Sequence, residues 1–211
     1  ALDGAMLPDR TFTRPKGFLS ASYALNPDTD IRARVERRVG QLDFNNFVSA
    51  VDLREDVAEA GNVDIVPSQS WFANIETERR YGENSTLSFE VFAEQFTDIV
   101  DRLPFDTDRD GIPDTDGPGN LPEGEEFGAR ASATLALDQV GIFGGELRLD
   151  LFVRESSLED PLTGEVRDFS YNRLSSWSID FDQDIPGTHI GYGCGSDHEQ
   201  NDPTVRFERL S

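Results

Sequence analysis

Apolar and charged side chains alternate along this chain residue by residue, in one segment after another. Ile31, Ala33, Val35 and Val39 share one parity, with Arg37 as the exception, while Arg32, Arg34, Glu36 and Arg38 share the other. A strand sends successive side chains to opposite faces, so such a segment has one apolar and one charged face. The pattern returns in Trp71-Ala73-Ile75 against Asn74-Glu76-Glu78. It returns in Leu87-Phe89-Val91-Ala93 against Ser88-Glu90-Glu94, where Phe92 and Phe96 break the polar parity. Ala129-Ala131-Ala133-Leu135-Leu137 opposes Arg130-Ser132-Thr134, and Leu147-Leu149-Leu151-Val153 opposes Arg148-Asp150-Arg154. Trp177-Ile179-Phe181 opposes Ser176-Ser178-Asp180-Asp182, and Leu19-Ala21-Tyr23-Leu25 and Ile190-Tyr192 are weaker members. Helical spacing fits none of these as well, so the chain reads as all-β. Ile31, Val35, Ile75, Phe89, Leu149, Ile179 and Phe181 are expected on one surface of a continuous antiparallel sheet. Arg32, Arg34, Glu76, Glu90 and Asp150 are expected on the other, because a one-residue slip would exchange the faces.

Connection lengths carry a second regularity. Asn26-Pro27-Asp28-Thr29, Gly82-Glu83-Asn84-Ser85, the Gly141–Gly145 stretch and Asp184-Ile185-Pro186-Gly187 have the residues of tight turns. Long polar connections lie between them, near 41–70, 104–126 and 157–174. Short and long alternate, which in an up-and-down meander puts the turns at one end and the long loops at the other. Thr86–Val100 is also longer than the five or six residues of an ordinary strand. These features favour an antiparallel meander of about nine strands, part of a large transmembrane β-barrel, over a soluble sandwich. Residues 1–16 read as a loop or the end of a preceding strand, and 17–211 as the partial barrel. Arg32, Arg34, Glu36, Glu76, Glu78, Glu90 and Glu94 would then pair across strands inside a wet lumen. Trp71 and Trp177 begin strands just below long loops, where an interfacial aromatic belt would sit.

Composition limits the partners. Of 211 residues, 36% are hydrophobic, and 19 basic residues against 41 acidic ones give a net charge of −22. Nucleic acid is excluded as a partner, because phosphate would be repelled. One cysteine, Cys194, permits neither an intrachain disulfide nor a Cys-rich zinc site, and two histidines leave little for a His-based metal centre. No apolar run approaches the roughly 20 residues of a spanning helix, a limit that does not touch strands of about 10. No GxSxG, HExxH or P-loop pattern occurs, and nothing singles out one acid and one base among the carboxylates. The chain does not read as an enzyme.

Several segments resemble TonB-dependent outer-membrane receptors. The run Leu25 to Phe44 is similar to a barrel segment of that family. Ala60-Gly61-Asn62-Val63-Asp64-Ile65-Val66-Pro67-Ser68-Gln69-Ser70-Trp71 resembles its AGNPxLxPxxSW loop-to-strand junction, with Val63 in place of the usual proline. Glu76-Thr77-Glu78-Arg79-Arg80-Tyr81 and Asp98-Ile99-Val100-Asp101 also look familial, and the likeness runs from about Lys16 nearly to the end. The resemblance implies a Gram-negative outer-membrane location, contact with outer-membrane lipid, and import of a siderophore, cobalamin or carbohydrate. In the family a plug domain sits inside a barrel of about 22 strands and engages the TonB complex. Neither plug nor coupling box is visible here, and the run Arg206-Phe207-Glu208-Arg209-Leu210-Ser211 reads as an end without the family's terminal aromatic. The chain therefore reads as a fragment from the C-terminal half of a receptor, not transport-competent alone. The alternative is a secreted, calcium-stabilised β-sandwich for binding or adhesion.

One loop has chemistry of its own. Asp106-Thr107-Asp108-Arg109-Asp110-Gly111-Ile112-Pro113-Asp114-Thr115-Asp116 has the DxDxDGxxD spacing of calcium loops. Alternating carboxylates converge when the chain turns at Gly111, and hard oxygen ligands suit Ca²⁺. The expected ligands are the side chains of Asp106, Asp108, Asp110, Asp114 and Asp116 with the carbonyl of Ile112. The position where an EF-hand has glutamate is Gly117.

Overall fold

A computed structural model describes residues 11–42, 50–52, 57–59, 62–82, 84–106, 109–112, 115–160, 164–170 and 172–201. Eleven strands form one sheet: β1 (Gly17–Asn26), β2 (Thr29–Val39), β3 (Ala50–Asp52), β4 (Val57–Glu59), β5 (Gln69–Tyr81), β6 (Ser85–Phe105), β7 (Thr115–Ala136), β8 (Gly145–Glu159), β9 (Val166–Arg167), β10 (Arg173–Asp184) and β11 (Gly191–Asn201). The main path runs β1-β2-β5-β6-β7-β8-β10-β11, with β9 on β8 and the β3–β4 hairpin touching β7 through Glu59 and Asp116. With that hairpin set aside, eight strands follow one another in meander order and the two-residue β9 adds to β8, nine in all against the about nine expected. β1 and β11 do not pair among the described residues, so the sheet is open.

The pairing registers place the two predicted sets of residues on opposite faces. Across the sheet, Tyr23, Ile31 and Thr77 align with Phe89, Ala131, Leu151 and Trp177. Ile75, Val91, Ala129 and Val153 follow in the next row of the same face. Arg32, Glu76, Glu90, Arg130, Phe152 and Ser176 make one row of the other face. The alternation therefore fixes the faces, and the faces fix the register.

Short turns and long connections separate as expected. At one end Asp28 accepts from the Arg80 amide at 2.8 Å, Ser85 Oγ accepts from the Ala136 amide at 2.9 Å, and Gly144 accepts from the Asp184 amide at 3.0 Å. The turns after β1, β5, β7 and β10 thus touch one another in series. Gly82, Gly141, Gly144 and Gly187 supply their positive φ values. Asp110 and Gly164 belong to the connections at the opposite end. Asn45, expected beside them, lies outside the described residues.

The 104–126 connection differs from expectation. β6 continues to Phe105 and β7 begins at Thr115, so the connection shrinks to 106–114. Gly117, Pro118, Gly119 and Pro122 read locally as loop, but Pro122 drops out of pairing together with Asp98, and β8 pairs with β7 only from Gly124 onward, so both prolines lie where no β8 ladder is needed. Asp98 has φ +54°, and beyond it the inward parity reverses. Phe92 and Glu94 are buried before it, Ile99 and Asp101 after it. The same reversal takes β7 from buried Glu126 to buried Leu121. The compact apolar core lies in this extension, where Ile99, Leu121, Leu158 and Phe169 pack together with Phe96 and Leu103. The 157–174 connection likewise starts later, since β8 reaches Glu159.

Candidate functional site

The polar face is concave. Glu76 on β5 and Glu199 on β11 line one groove of about 750 Å³, together with Glu90, Arg130, Asp150 and Arg154. In a flat sheet those two strands, five steps apart, would be about 24 Å from each other. The groove crosses β5, β6, β7, β8, β10 and β11 in turn, which makes the polar side the hollow side of the sheet and the apolar side its convex back.

Opposite charges interleave across this concave face. Arg32 lies 3.0 Å from Glu78 and 3.7 Å from Glu76, Arg130 2.8 Å from Glu90, and Arg38 2.9 Å from Glu94. Arg34 pairs along its own strand with Glu36 at 3.1 Å, and Arg154 meets Glu126 at 3.4 Å. Ser70 Oγ donates to Glu94 in a short contact, and Arg148 bridges Glu146 and Asp182. Of the seven residues expected to pair, Arg34 and Glu36 do so within β2 and not across strands.

A line of aromatic rings crosses the same face. Phe72 stacks on Phe92 at 6.1 Å, and Phe92 on Phe152 at 6.2 Å with planes 7° apart. Arg38 lies 3.6 Å above Phe72, and Arg130 lies 4.6 Å from Phe92 and 5.2 Å from Phe152. The parity break at Phe92 is thus the middle of a cation–π stack. Phe96, the other break, turns its ring edge to Phe169 at 5.4 Å.

Two locks hold the long-loop end. Asn120 donates to the Val66 and Asp98 carbonyls at 2.9 and 2.8 Å and accepts from the Val66 amide at 2.7 Å. Asn120 thereby fixes the loop before β5 against the β6–β7 extension, beside fully buried Ile65. In the second lock Arg167 lies 3.2 Å from both Asp101 and Asp160. Neither lock is legible in the sequence, since each joins residues far apart without a spacing rule.

The Asp-rich connection turns as its spacing predicts. Asp106 accepts from the amides of Asp110 at 3.2 Å and Gly111 at 2.7 Å, and Asp110 accepts from the Ile112 amide at 2.8 Å. Arg109 and Gly111, at φ +63° and +93°, reverse the chain between them. Asp106, Asp110 and Ile112 are thus brought together. Asp108, Asp114 and the Asp116 side chain lie outside the described residues. Among the described residues no three His, Cys, Asp or Glu side chains surround a common metal position. Cys194 is exposed on β11, paired in register with Phe181 on the apolar face.

No helix among the described residues is long and apolar enough to cross a membrane, which says nothing of strands. No family model matches the chain, and no curated protein matches it significantly.

Proposed function

We propose that this chain forms part of the barrel of a TonB-dependent receptor in a Gram-negative outer membrane, where it helps import a siderophore, cobalamin or carbohydrate. The observation that carries the reading is the uncovered convex face. Leu19 is 78% exposed, Leu151 56%, Val153 55% and Ile75 53%, whereas few large apolar side chains are buried. Burying one such side chain gains about 1.5–3 kcal/mol, so a face of this extent is costly in water. Soluble monomers rarely expose patches beyond a few hundred Å². On β7 the apolar parity runs from Phe127 to Leu135, eight steps of about 3.3 Å, which crosses about 20 Å at a tilt near 40°. Beyond it the same parity carries Glu125 and Glu123. A band of this height with a polar concave side suits a lipid-facing wall around a wet lumen. The nutrient is unspecified, and coupling to the TonB complex belongs to a plug region outside these residues.

Flotation of the full chain with phosphatidylcholine vesicles tests the membrane part. The chain should need detergent in solution and rise with the vesicles, and a soluble monomer that ignores lipid would overturn the reading. Leu149→Arg, on the convex face, should cost about 2–4 kcal/mol in lipid. Ser132→Arg, on the concave face beside Asp150, should stay within about 1 kcal/mol. The receptor part is tested on the complete gene, where a plug-encoding segment upstream supports it and a gene for an unrelated soluble protein overturns it.

The Asp-rich connection is proposed as a Ca²⁺ site of modest affinity, around 10⁻⁴–10⁻³ M. The turn around Asp106 leaves each carboxylate further lone pairs, and crowded aspartates gain when a divalent ion offsets their repulsion. Calorimetry on the whole chain should give heat with millimolar Ca²⁺, and Asp106→Asn with Asp110→Asn should weaken binding at least about tenfold. Absence of heat together with unchanged proteolysis of the loop would remove the site.

A further inference from the structure

Arginine placement divides by face. On the concave side Arg32, Arg34, Arg38, Arg130, Arg148 and Arg154 all sit in ion pairs. Arg37 and Arg79 have the opposite parity, point outward, and make no ion pair among the described residues. Each lies instead against an outward aromatic ring: Arg37 is 5.8 Å from Trp71, and Arg79 is 4.8 Å from Tyr81. Arg37 gives one Nη to Gln69 at 2.6 Å, while its buried Nε has no hydrogen-bond partner among the described residues. In a chain with 41 acidic residues, two arginines without carboxylate partners among the described residues call for a physical reason.

Their positions supply one. Trp71 and Arg79 lie eight residues apart on β5, with Ala73, Ile75 and Thr77 between them on the same face. That separation is about 26 Å along the strand and about 20 Å across a tilted sheet, the height of the apolar band itself. Both borders of one stretch of wall therefore carry a guanidinium held against an amphipathic ring. Tryptophan and tyrosine favour the headgroup level, and a guanidinium fork matches phosphate oxygens in pairs. Glu125, on the convex side of the long-loop border, is two strands from Trp71, about 10 Å away. The positive spot is thus confined to β2 and β5.

We propose that Arg37 on Trp71 and Arg79 on Tyr81 bind the phosphate of anionic lipid headgroups, one at each border of the apolar band. The inference rests on the membrane reading above and names the lipid chemistry that the wall selects. It runs against bulk electrostatics, because a chain of net charge −22 is repelled by an anionic surface.

The test compares flotation of the full chain with phosphatidylcholine vesicles and with vesicles that also contain phosphatidylglycerol, whose phosphate no choline offsets. The quantity read is the ratio of the two partition coefficients. Each arginine near an anionic surface contributes about a fivefold preference, so R37Q/R79Q should lower the ratio about 25-fold. R32Q/R148Q removes the same charge from the concave face and should leave the ratio within about twofold. R37K/R79K keeps the charge without the planar fork and should fall between wild type and R37Q/R79Q. If R37Q/R79Q loses its strand signal in circular dichroism, the lysine pair decides alone, and a ratio equal to wild type overturns the proposal. An unchanged ratio in R37Q/R79Q, or equal losses in both glutamine pairs, overturns the headgroup sites and leaves the membrane reading standing. No flotation with either vesicle overturns both.

Discussion

Arg167→Leu is expected to release the 160–170 connection from the sheet while the meander stays paired. The Arg167 side chain is 14% exposed, and its two partners are more deeply buried, Asp101 at 4% and Asp160 at 7%. Arg167 also donates to the carbonyls of Asp168 at 2.9 Å and Arg102 at 3.3 Å, and Asp101 accepts from the Ser170 amide at 3.1 Å. Leucine would remove the guanidinium that joins two buried carboxylates, a loss of about 3–5 kcal/mol. The triad ties a connection and not a central strand, so the loss appears as local opening. Amide exchange over Arg167–Ser170 should quicken at least about a hundredfold, with the β7–β8 ladder unchanged. Adding Asp101→Asn and Asp160→Asn should restore much of the protection, because neutral amides do not repel. Exchange at wild-type rates in Arg167→Leu would show that Phe169, packed among Ile99, Leu121 and Leu158, holds the connection without the ion triad.

What the sequence revealed and what it concealed follow from the range of the forces involved. Period-2 alternation is a local property, so Ile31 to Val39 or Leu147 to Val153 declare strand and face without reference to the rest of the chain. Register follows from the same alternation, because only one pairing keeps every apolar side chain on one surface. The β6–β7 extension behaves otherwise. Its Gly117, Pro118, Gly119 and Pro122 have every local mark of a loop. It is held by Asn120 on Val66, 54 residues away, and by Arg167 on Asp101, 66 residues away. Exceptions to the alternation were the readable trace of such long-range effects. Phe92 on the polar parity marks the ring stack, and Arg37 on the apolar parity marks the contact with the Trp71 ring. The Asp-rich connection was legible as a turn, since Asp106 and Gly111 act within five residues of each other.

Gly128→Ala is expected to destabilise the sheet, although alanine normally improves on glycine in a strand. Gly128 pairs in register with Phe92 on one side and Arg154 on the other. With no side chain there, the Phe92 ring can lie across β7 and reach Phe152. A Cβ at Gly128 would stand 2.6 Å from Phe92 Cζ and closer still to the Val153 carbonyl. The ring could swing away, but only by giving up its stacking on Phe72 and Phe152 and its contact with Arg130. The carbonyl is part of the β7–β8 ladder and has less room to yield. Overpacking of this kind costs about 1–3 kcal/mol, more than the ~0.4–1 kcal/mol that alanine returns by restricting the unfolded chain. Gly17→Ala is the matched control, since a Cβ at that edge position meets nothing within 4 Å. Equilibrium unfolding in detergent should place the two variants on opposite sides of wild type, Gly128→Ala below and Gly17→Ala at or slightly above. In a Phe92→Ala background the penalty at Gly128 should shrink without vanishing, because the ring contact is gone and the Val153 carbonyl remains. Equal stability of Gly128→Ala and Gly17→Ala would mean that the ring line does not depend on the gap beneath it, and that Phe92 reaches Phe152 for another reason.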